Sequence, residues 1–379
     1  MNSTEDFSEV ALNARKFAEE ELKPGAAERD LSREFPQEQL RKMGSLGWMG
    51  VLIPEEWGGA GGNHSMLSFI AEEIAAQDFS CSTLMASHNT LVGPLLLNFG
   101  TERIRKEFLR PAAKGELLGA FALTEAQSGS DAFNLKSNAS RTGADYVITG
   151  MKQFVTAGAA ADFTLVFTLD GNSPAKSKTI AAFVVPTSSP GYRVVRVENT
   201  FGLRSAGTCE IALEGVKVSR EFRIGEGTDA REFIASVLLS SRAILAAQAV
   251  GLAREALRSA LSYAKERVTF GKPIFAHQVI ASRLADMATA IEAAHLLTNE
   301  ACRCLDRGKP AAKIASMAKL YASETAEEVA RKGMEILGGV GYSGDCSMER
   351  LYRDARVCSI YEGTSDIQRL IISNELAKL

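Results

Sequence analysis

The sequence predicts an α+β multidomain chain. An N-terminal helical domain spans residues 1–115, a central antiparallel β domain 116–226, and a C-terminal four-helix bundle 227–379. Three observations carry this reading. Helical periodicity dominates both ends of the chain, whereas short β-branched runs cut by turn residues fill the middle. No helix-length segment separates those runs. The 379 residues also exceed what one simple core needs, which suggests two or three domains.

Taken in order, Glu9–Phe17 and Met66–Ile74 space their apolar residues as amphipathic helices do. Between them, Pro54-Glu-Glu-Trp57-Gly58-Gly59-Ala-Gly61-Gly62 reads as a turn. A phosphate cradle would need a following Lys-Ser/Thr and a strand–helix context, and neither is present. The runs Tyr146–Ile148, Gln153–Val155, Phe163–Phe167, Thr179–Val185, Tyr192–Val197 and Cys209–Leu213 read as strands. Without crossover helices they are expected to pair antiparallel, and no G-x-G-x-x-G joins a strand to a helix. Arg231–Val268 has no Pro and only Gly251, so it reads as one long helix or two joined near Gly251. Further helices are expected over 276–306, 311–334 and 366–377. Helices this long and apolar pack as a bundle.

Composition bounds the function. Hydrophobic content of 46% and charged content of 23% are ordinary for a soluble globular protein. A net charge of −3 gives no reason to expect nucleic acid or an anionic membrane as partner. The N-terminus is acidic and lacks an apolar run, which argues against a signal peptide. No run of about 18 apolar residues is expected to span a bilayer. The expected location is the bacterial cytoplasm, or the mitochondrial matrix for a processed form. Six scattered cysteines without C-x-x-C read as reduced thiols, and four dispersed histidines argue against a metal.

The most chemically suggestive segment is Ile360-Tyr361-Glu362-Gly363-Thr364-Ser365-Asp366-Ile367-Gln368-Arg369. Ser365 and Gln368 form an S-x-x-Q capping box before an apolar helix, whose N-terminus offers unpaired N–H groups to a phosphate. Glu362 sits just upstream in uncharged surroundings, where poor solvation raises a carboxyl pKa towards that of a working base. An ordinary capped helix with an incidental Glu accounts for these features equally well.

This segment resembles the C-terminal signature of the acyl-CoA dehydrogenase family, I-Y-E-G-T-S-[ED]-I-Q-R. Three further blocks resemble the family in the same order: Phe121-Ala-Leu-Thr-Glu-Ala-Gln-Ser-Gly-Ser130-Asp131, Glu266-Arg267-Val-Thr-Phe270-Gly271-Lys-Pro-Ile274, and Ile336-Leu337-Gly338-Gly339-Val-Gly341-Tyr342. The resemblance implies the helical–β–helical fold, FAD as cofactor, and Glu362 as the catalytic base. It implies FAD contacts from Thr364, Ser365 and Asp366, and from Phe121, Leu123, Thr124, Gly129 and Ser130 in the first block. Ala126 stands where the family usually has Pro, which points to the short/branched-chain type. Phe154, Val155 and Thr156 occupy the W-I-[ST] position that covers the flavin. Arg267, Phe270 and Gln278 match positions that often serve a neighbouring subunit's flavin, so a homotetramer built as a dimer of dimers is expected. Glu335, Ile336, Leu337, Gly338 and Gly339 match Q-[IL]-[LFM]-G-G, with Glu335 placing an anion where the family has Gln.

For the substrate, the resemblance implies contacts from Ser130, Arg242, Tyr361 and Gly363. Leu239 replaces an Asp common in relatives. Ser241 holds the position at which some long-chain and isovaleryl-specific relatives carry the base, which leaves Glu362 as the base here. Residues 79–101 contain no charged side chain, which argues for an uncharged acyl group; His88 within them reads as structural. The expected reaction is α,β-dehydrogenation of a short or branched acyl-CoA, with electrons passed to an electron-transferring flavoprotein. The competing readings are an acyl-CoA oxidase using O₂, a flavin monooxygenase (which generally lacks the base), and a non-catalytic helical scaffold.

Overall fold

The computed structural model describes residues 5–171 and 179–378. The N-terminal region contains α1 (Glu5–Phe17), α2 (Lys23–Ser32), α3 (Gln37–Ser45), α4 (His64–Gln77), α5 (Phe79–Ser87), α6 (Gly93–Phe99), α7 (Glu102–Ile104) and α8 (Arg110–Ala113). Local chemistry sets the helix starts. The Asn63 side chain accepts from Met66 N–H at 2.9 Å to open α4, and Asp78 accepts from Cys81 N–H at 2.9 Å to open α5. Asp78 also takes the buried Arg29 guanidinium at 2.8 Å, which ties α2 to the α4–α5 junction.

The strands are β1 (Gly119–Ala122), β2 (Asn138–Thr142), β3 (Asp145–Val155), β4 (Phe163–Asp170), β5 (Ile180–Pro186), β6 (Tyr192–Val197), β7 (Cys209–Val218) and β8 (Arg223–Ile224). They form one eight-stranded sheet in the order β6-β7-β3-β2-β4-β5-β8, with β1 paired to β4. Most pairings are antiparallel, but β1 and β2 each lie parallel to β4. That departs from a wholly antiparallel sheet. Parallel neighbours need long connections, and the irregular segment 123–137 lets β1 and β2 pair with successive stretches of β4, end to end along one edge. The runs at 146–148 and 153–155 are one strand, β3, and not two. Gly150 (φ +155°) and register shifts beside Ile148 and Lys152 carry it through, where a Cβ at Gly150 would meet the Ser137 hydroxyl at 2.1 Å.

The C-terminal region holds α9 (Ala230–Glu266), α10 (Gln278–Asp306), α11 (Ala312–Leu337), α12 (Gly339–Tyr342), α13 (Ser347–Val357) and α14 (Ser365–Leu376). α9 is a single helix. Gly251 does not break it; a Cβ there would lie 2.0 Å from the Glu72 carbonyl oxygen, so the glycine permits a close crossing of α4 and α9. By length and composition α9 could cross a membrane, contrary to the expectation that no such run exists. Most of that window is buried, so its apolarity serves the core. One apolar core joins the N-terminal helices, one sheet face and the bundle; a second, with Phe108, Phe163, Val184 and Phe233, lies between α6, the other sheet face and the start of α9.

Candidate active site

The turn between α13 and α14 is closed by the Tyr361 N–H on the Val357 carbonyl (3.1 Å) and the Ser365 N–H on the Ser359 carbonyl (3.0 Å). Inside it, Glu362 (φ +56°) and Gly363 (φ +88°) are consecutive left-handed residues. Glycine takes that conformation freely; a glutamate does so at a cost of about 1–2 kcal/mol, which surrounding contacts must offset. The contacts are specific. Arg242 Nε donates to the Glu362 carbonyl at 3.3 Å, and Lys319 Nζ donates to the Gly363 carbonyl at 2.8 Å. The buried Gln368 amide donates to both, at 3.1 and 2.9 Å. Thr364, not Ser365, caps α14, accepting from the Ile367 N–H at 3.3 Å. The expected Ser365–Gln368 capping box is therefore corrected. The left-handed Gly363 places Thr364 at the cap, and Gln368 turns back to the Glu362 and Gly363 carbonyls.

These donors fix the backbone of the Glu362–Gly363 turn and do not engage the Glu362 carboxylate. Glu362 Oε2 is buried and has no hydrogen-bond partner. Burial raises the Glu362 pKa above the usual carboxylate value; the Arg242 charge, the Ser241 hydroxyl and the Lys319 charge oppose that rise. Burial lowers the pKa of Arg242, and lowers that of Lys319 to about 8. Among the described residues no main-chain acceptor takes the Glu362 N–H. The turn thus offers a desolvated base and an adjacent N–H donor.

A second cluster forms where the segment after β1 meets the end of β3. The Gln153 N–H donates to the Thr124 carbonyl at 2.9 Å, and Lys152 Nζ donates to the Leu123 carbonyl at 3.1 Å. Lys152 also pairs with Glu125 at 2.6 Å, both side chains being buried. The Glu125 carboxylate accepts from the Lys136 N–H (2.7 Å) and the Ser137 N–H (3.1 Å). Burial pushes the Glu125 pKa up, but Lys152 and these donors bring it down to about 2. Leu123 and Thr124 are thereby held to Lys152 and Gln153, which directly precede Phe154, Val155 and Thr156 in the chain. Phe154 is left-handed (φ +53°) and 61% exposed, an unusual state for a large apolar ring. Phe121 instead packs on Phe167, with ring centroids 4.7 Å apart. Gly129 and Ser130 are exposed, and a Cβ at Gly129 would meet nothing within 4 Å.

The remaining residues matched by resemblance lie elsewhere. Arg267 and Gln278 are exposed on either side of a short hairpin, Val268–Thr269 with Lys272–Pro273, whose Phe270 is 97% exposed. Glu335 is exposed near the end of α11, paired with Arg331 and, at 3.7 Å, with Arg283 on α10. Its charge is therefore compensated within the chain. Ile336 and Leu337 are buried, while Gly338 and Gly339 are exposed. Among the described residues no hydrogen bond or ion pair joins this end of the bundle to the Glu362 turn. Asp366 is 90% exposed at its side chain, with Arg369 3.5 Å away.

The orphaned polar atoms test whether a flavin dinucleotide suits the site. Ser365 Oγ, Gln368 Oε1 and Tyr361 Oη are buried without partners, as is Glu362 Oε2. Polar groups left this way at the start of α14, with an exposed Phe154 on the β domain, fit a ligand that is part aromatic ring and part anion.

Sequence reasoning missed Lys319, Gln368 in its observed role, and the Glu125–Lys152 pair. Lys319 had a readable signal: with Ala315, Ala322 and Ala326 it lies on the buried stripe of α11, an unusual place for a lysine.

A helical–β–helical chain with a desolvated carboxylate on a strained turn fits an FAD-dependent oxidoreductase, and the family match shows that class. The chain belongs to the acyl-CoA dehydrogenase family. Residues 4–116 match the acyl-CoA dehydrogenase N-terminal domain, 120–216 the middle domain, and 231–377 the C-terminal domain. The chain is 40% identical to the mitochondrial short-chain specific acyl-CoA dehydrogenase of Bos taurus, covering 96% of this chain and 88% of the relative. It is 41% identical to subunit CarC of the caffeyl-CoA reductase-Etf complex of Acetobacterium woodii, covering 96% of each. The structure of butyryl-CoA dehydrogenase from Megasphaera elsdenii superposes with a TM-score of 0.95 at 34% identity, covering 100% of this chain and 99% of that one.

Proposed function

We propose that this dehydrogenase acts on a short or branched-chain acyl-CoA, with Glu362 as its base, and passes electrons to an electron-transferring flavoprotein. The observation that carries the base is the Glu362 carboxylate, whose buried Oε2 has no hydrogen-bond partner, on a turn whose two carbonyls are tied down from α9, α11 and α14. Thr124, Phe154–Thr156 and Ser365 would hold FAD, which would supply the hydride acceptor for the β-hydrogen. Glu362 removes the α-proton, and the electrons of that C–H bond form the α,β double bond. The Glu362 N–H, which no main-chain acceptor takes among the described residues, would stabilise charge on the thioester oxygen. Desolvation strengthens the base, while Arg242 and Lys319 keep it ionisable.

A short-chain acyl group is supported by the bovine and Megasphaera relatives and by the uncharged residues 79–101. The flavoprotein partner is supported by the Etf-complex relative. That relative is named a reductase, which favours a second direction at the same site: protonated Glu362 would deliver the α-proton to an enoyl-CoA. A homotetramer is supported by the apolar side chains left exposed around the hairpin (Val268, Phe270, Phe275 and Val279). Light scattering of the yellow holoprotein should give four chains.

The test of the base is Glu362→Gln, which keeps size and removes proton acceptance. FAD should stay bound, and anaerobic flavin reduction by butyryl-CoA should slow by at least about 10². Reduction at the wild-type rate would assign the proton to another residue.

A further inference from the structure

Among the described residues two lysines are fully buried, Lys152 and Lys319. Lys152 has a carboxylate partner, Glu125, at 2.6 Å. Lys319 has no carboxylate within ion-pair distance and directs its amine to the Gly363 carbonyl at 2.8 Å. A buried ammonium without a direct counter-ion is costly, and a leucine would fill an apolar stripe at no such cost. The charged and titratable groups facing the amine are Cys358 after α13, Glu362 in the turn, Arg242 on α9 and Glu324 on α11 itself. Its own helix is pinned to the same segment, since Ser323 Oγ donates to the Cys358 carbonyl at 2.9 Å.

We propose that Lys319 is a positioning residue for the Glu362 base: its amine locks the left-handed Gly363 that presents the carboxylate, and its charge favours the ionised form of that carboxylate. The proposal rests on the reading of Glu362 as the base. It assigns two separable roles, a hydrogen bond to the Gly363 carbonyl and a positive charge near Glu362. Arg242 cannot make the Gly363 bond, because its Nε donates to the neighbouring Glu362 carbonyl; its charge acts on the Glu362 carboxylate alongside that of Lys319. The depressed pKa of Lys319, about 8, agrees with a cation held at the cost of desolvation.

Two variants separate the roles. Lys319→Gln keeps a donor for the Gly363 carbonyl and removes the charge; Lys319→Met removes both. The readout is the limiting rate of anaerobic flavin reduction by butyryl-CoA in the holoenzyme, followed across pH by stopped flow. The acid limb should move to higher pH by about one unit in both variants, because a nearby cation no longer favours the ionised carboxylate. The alkaline plateau should stay near wild type in Lys319→Gln and fall at least about 10-fold in Lys319→Met, where the turn is released as well. An unshifted acid limb in Lys319→Gln would overturn the proposal. So would loss of folded flavoprotein in both variants, which would make Lys319 a structural residue only. Glu362→Gln run alongside separates the two claims. Wild-type reduction there overturns the base reading and this proposal with it; abolished reduction there, with an unshifted limb in Lys319→Gln, overturns this proposal alone.

Discussion

Arg242 Nε donates to the main-chain carbonyl of Glu362 at 3.3 Å, so α9 grips Glu362 through its backbone. The carboxylate feels the guanidinium only through space, as a charge that opposes the pKa rise caused by burial. A direct bidentate pair would stabilise the ionised form too well for the proposed role as a base, which has to take up a proton. Holding the backbone while leaving Oε2 without a partner keeps the group both placed and reactive.

Replacing Arg242 with Met should therefore slow flavin reduction by about 10–100-fold with FAD retained, as one electrostatic and one geometric contact are lost. Arg242→Lys should recover only part of the rate, because an ammonium restores charge without the planar fork. Stopped-flow reduction checks both, and full recovery by lysine would show that charge alone matters.

The Glu125–Lys152 pair should be stabilising only as a pair. Lys152→Met leaves a buried carboxylate with main-chain donors alone and should cost about 3–5 kcal/mol. Because Lys152 also holds the Leu123 carbonyl, FAD occupancy should fall with it. Adding Glu125→Gln should recover part of the loss. Denaturant melts and the flavin-to-protein absorbance ratio measure the two effects, and additive losses in the double variant would refute the coupling.

Gly251→Ala should destabilise the protein although alanine is the better helix former. The helix gain is about 1 kcal/mol, against a methyl driven to 2.0 Å from the Glu72 carbonyl oxygen. Overpacking of this kind costs about 1–3 kcal/mol or more, and here the obstacle is backbone. A lower Tm is expected; a higher one would mean that α4 and α9 separate freely.

Asp354 should make stability fall as pH rises. Burial raises its pKa to about 7, with the Leu203 N–H at 2.7 Å opposing the shift. Its unfolded value is about 3.9, so the folded state binds the proton more tightly. The associated stability is fully present below about pH 4 and is lost towards pH 7, at up to about 1.4 kcal/mol per unit. Asp354→Asn keeps the acceptor for Leu203 and removes the titration. The Tm difference between variant and wild type should grow in the variant's favour from pH 5 to pH 8, and a constant difference would contradict the assignment.

Much of the site was legible because its motif is contiguous. Glu362 and its uncharged neighbours could be read from ten residues, and so could a helix start just beyond them. The cap was read one residue late because Thr364 and Ser365 both carry a suitable hydroxyl. Only the backbone angle of Gly363 decides which of them accepts from the next turn. Lys319 was readable in principle as a lysine on an apolar stripe, but what it donates to was not.

By itself the sequence determined the order of helical and β regions and the residue types of the Glu362 turn, since periodicity and motif act over a few neighbouring residues. The tertiary structure decided the rest. It set β1 and β2 parallel to β4, kept α9 whole by letting α4 cross at Gly251, and left Phe154 exposed and left-handed at the end of β3. It also brought Arg242 and Lys319, 120 and 44 residues distant in sequence from the carbonyls they hold, onto adjacent peptide groups. Such convergence depends on how three helices pack against one another, and no local pattern encodes a hydrogen bond between residues that meet only after the bundle has formed.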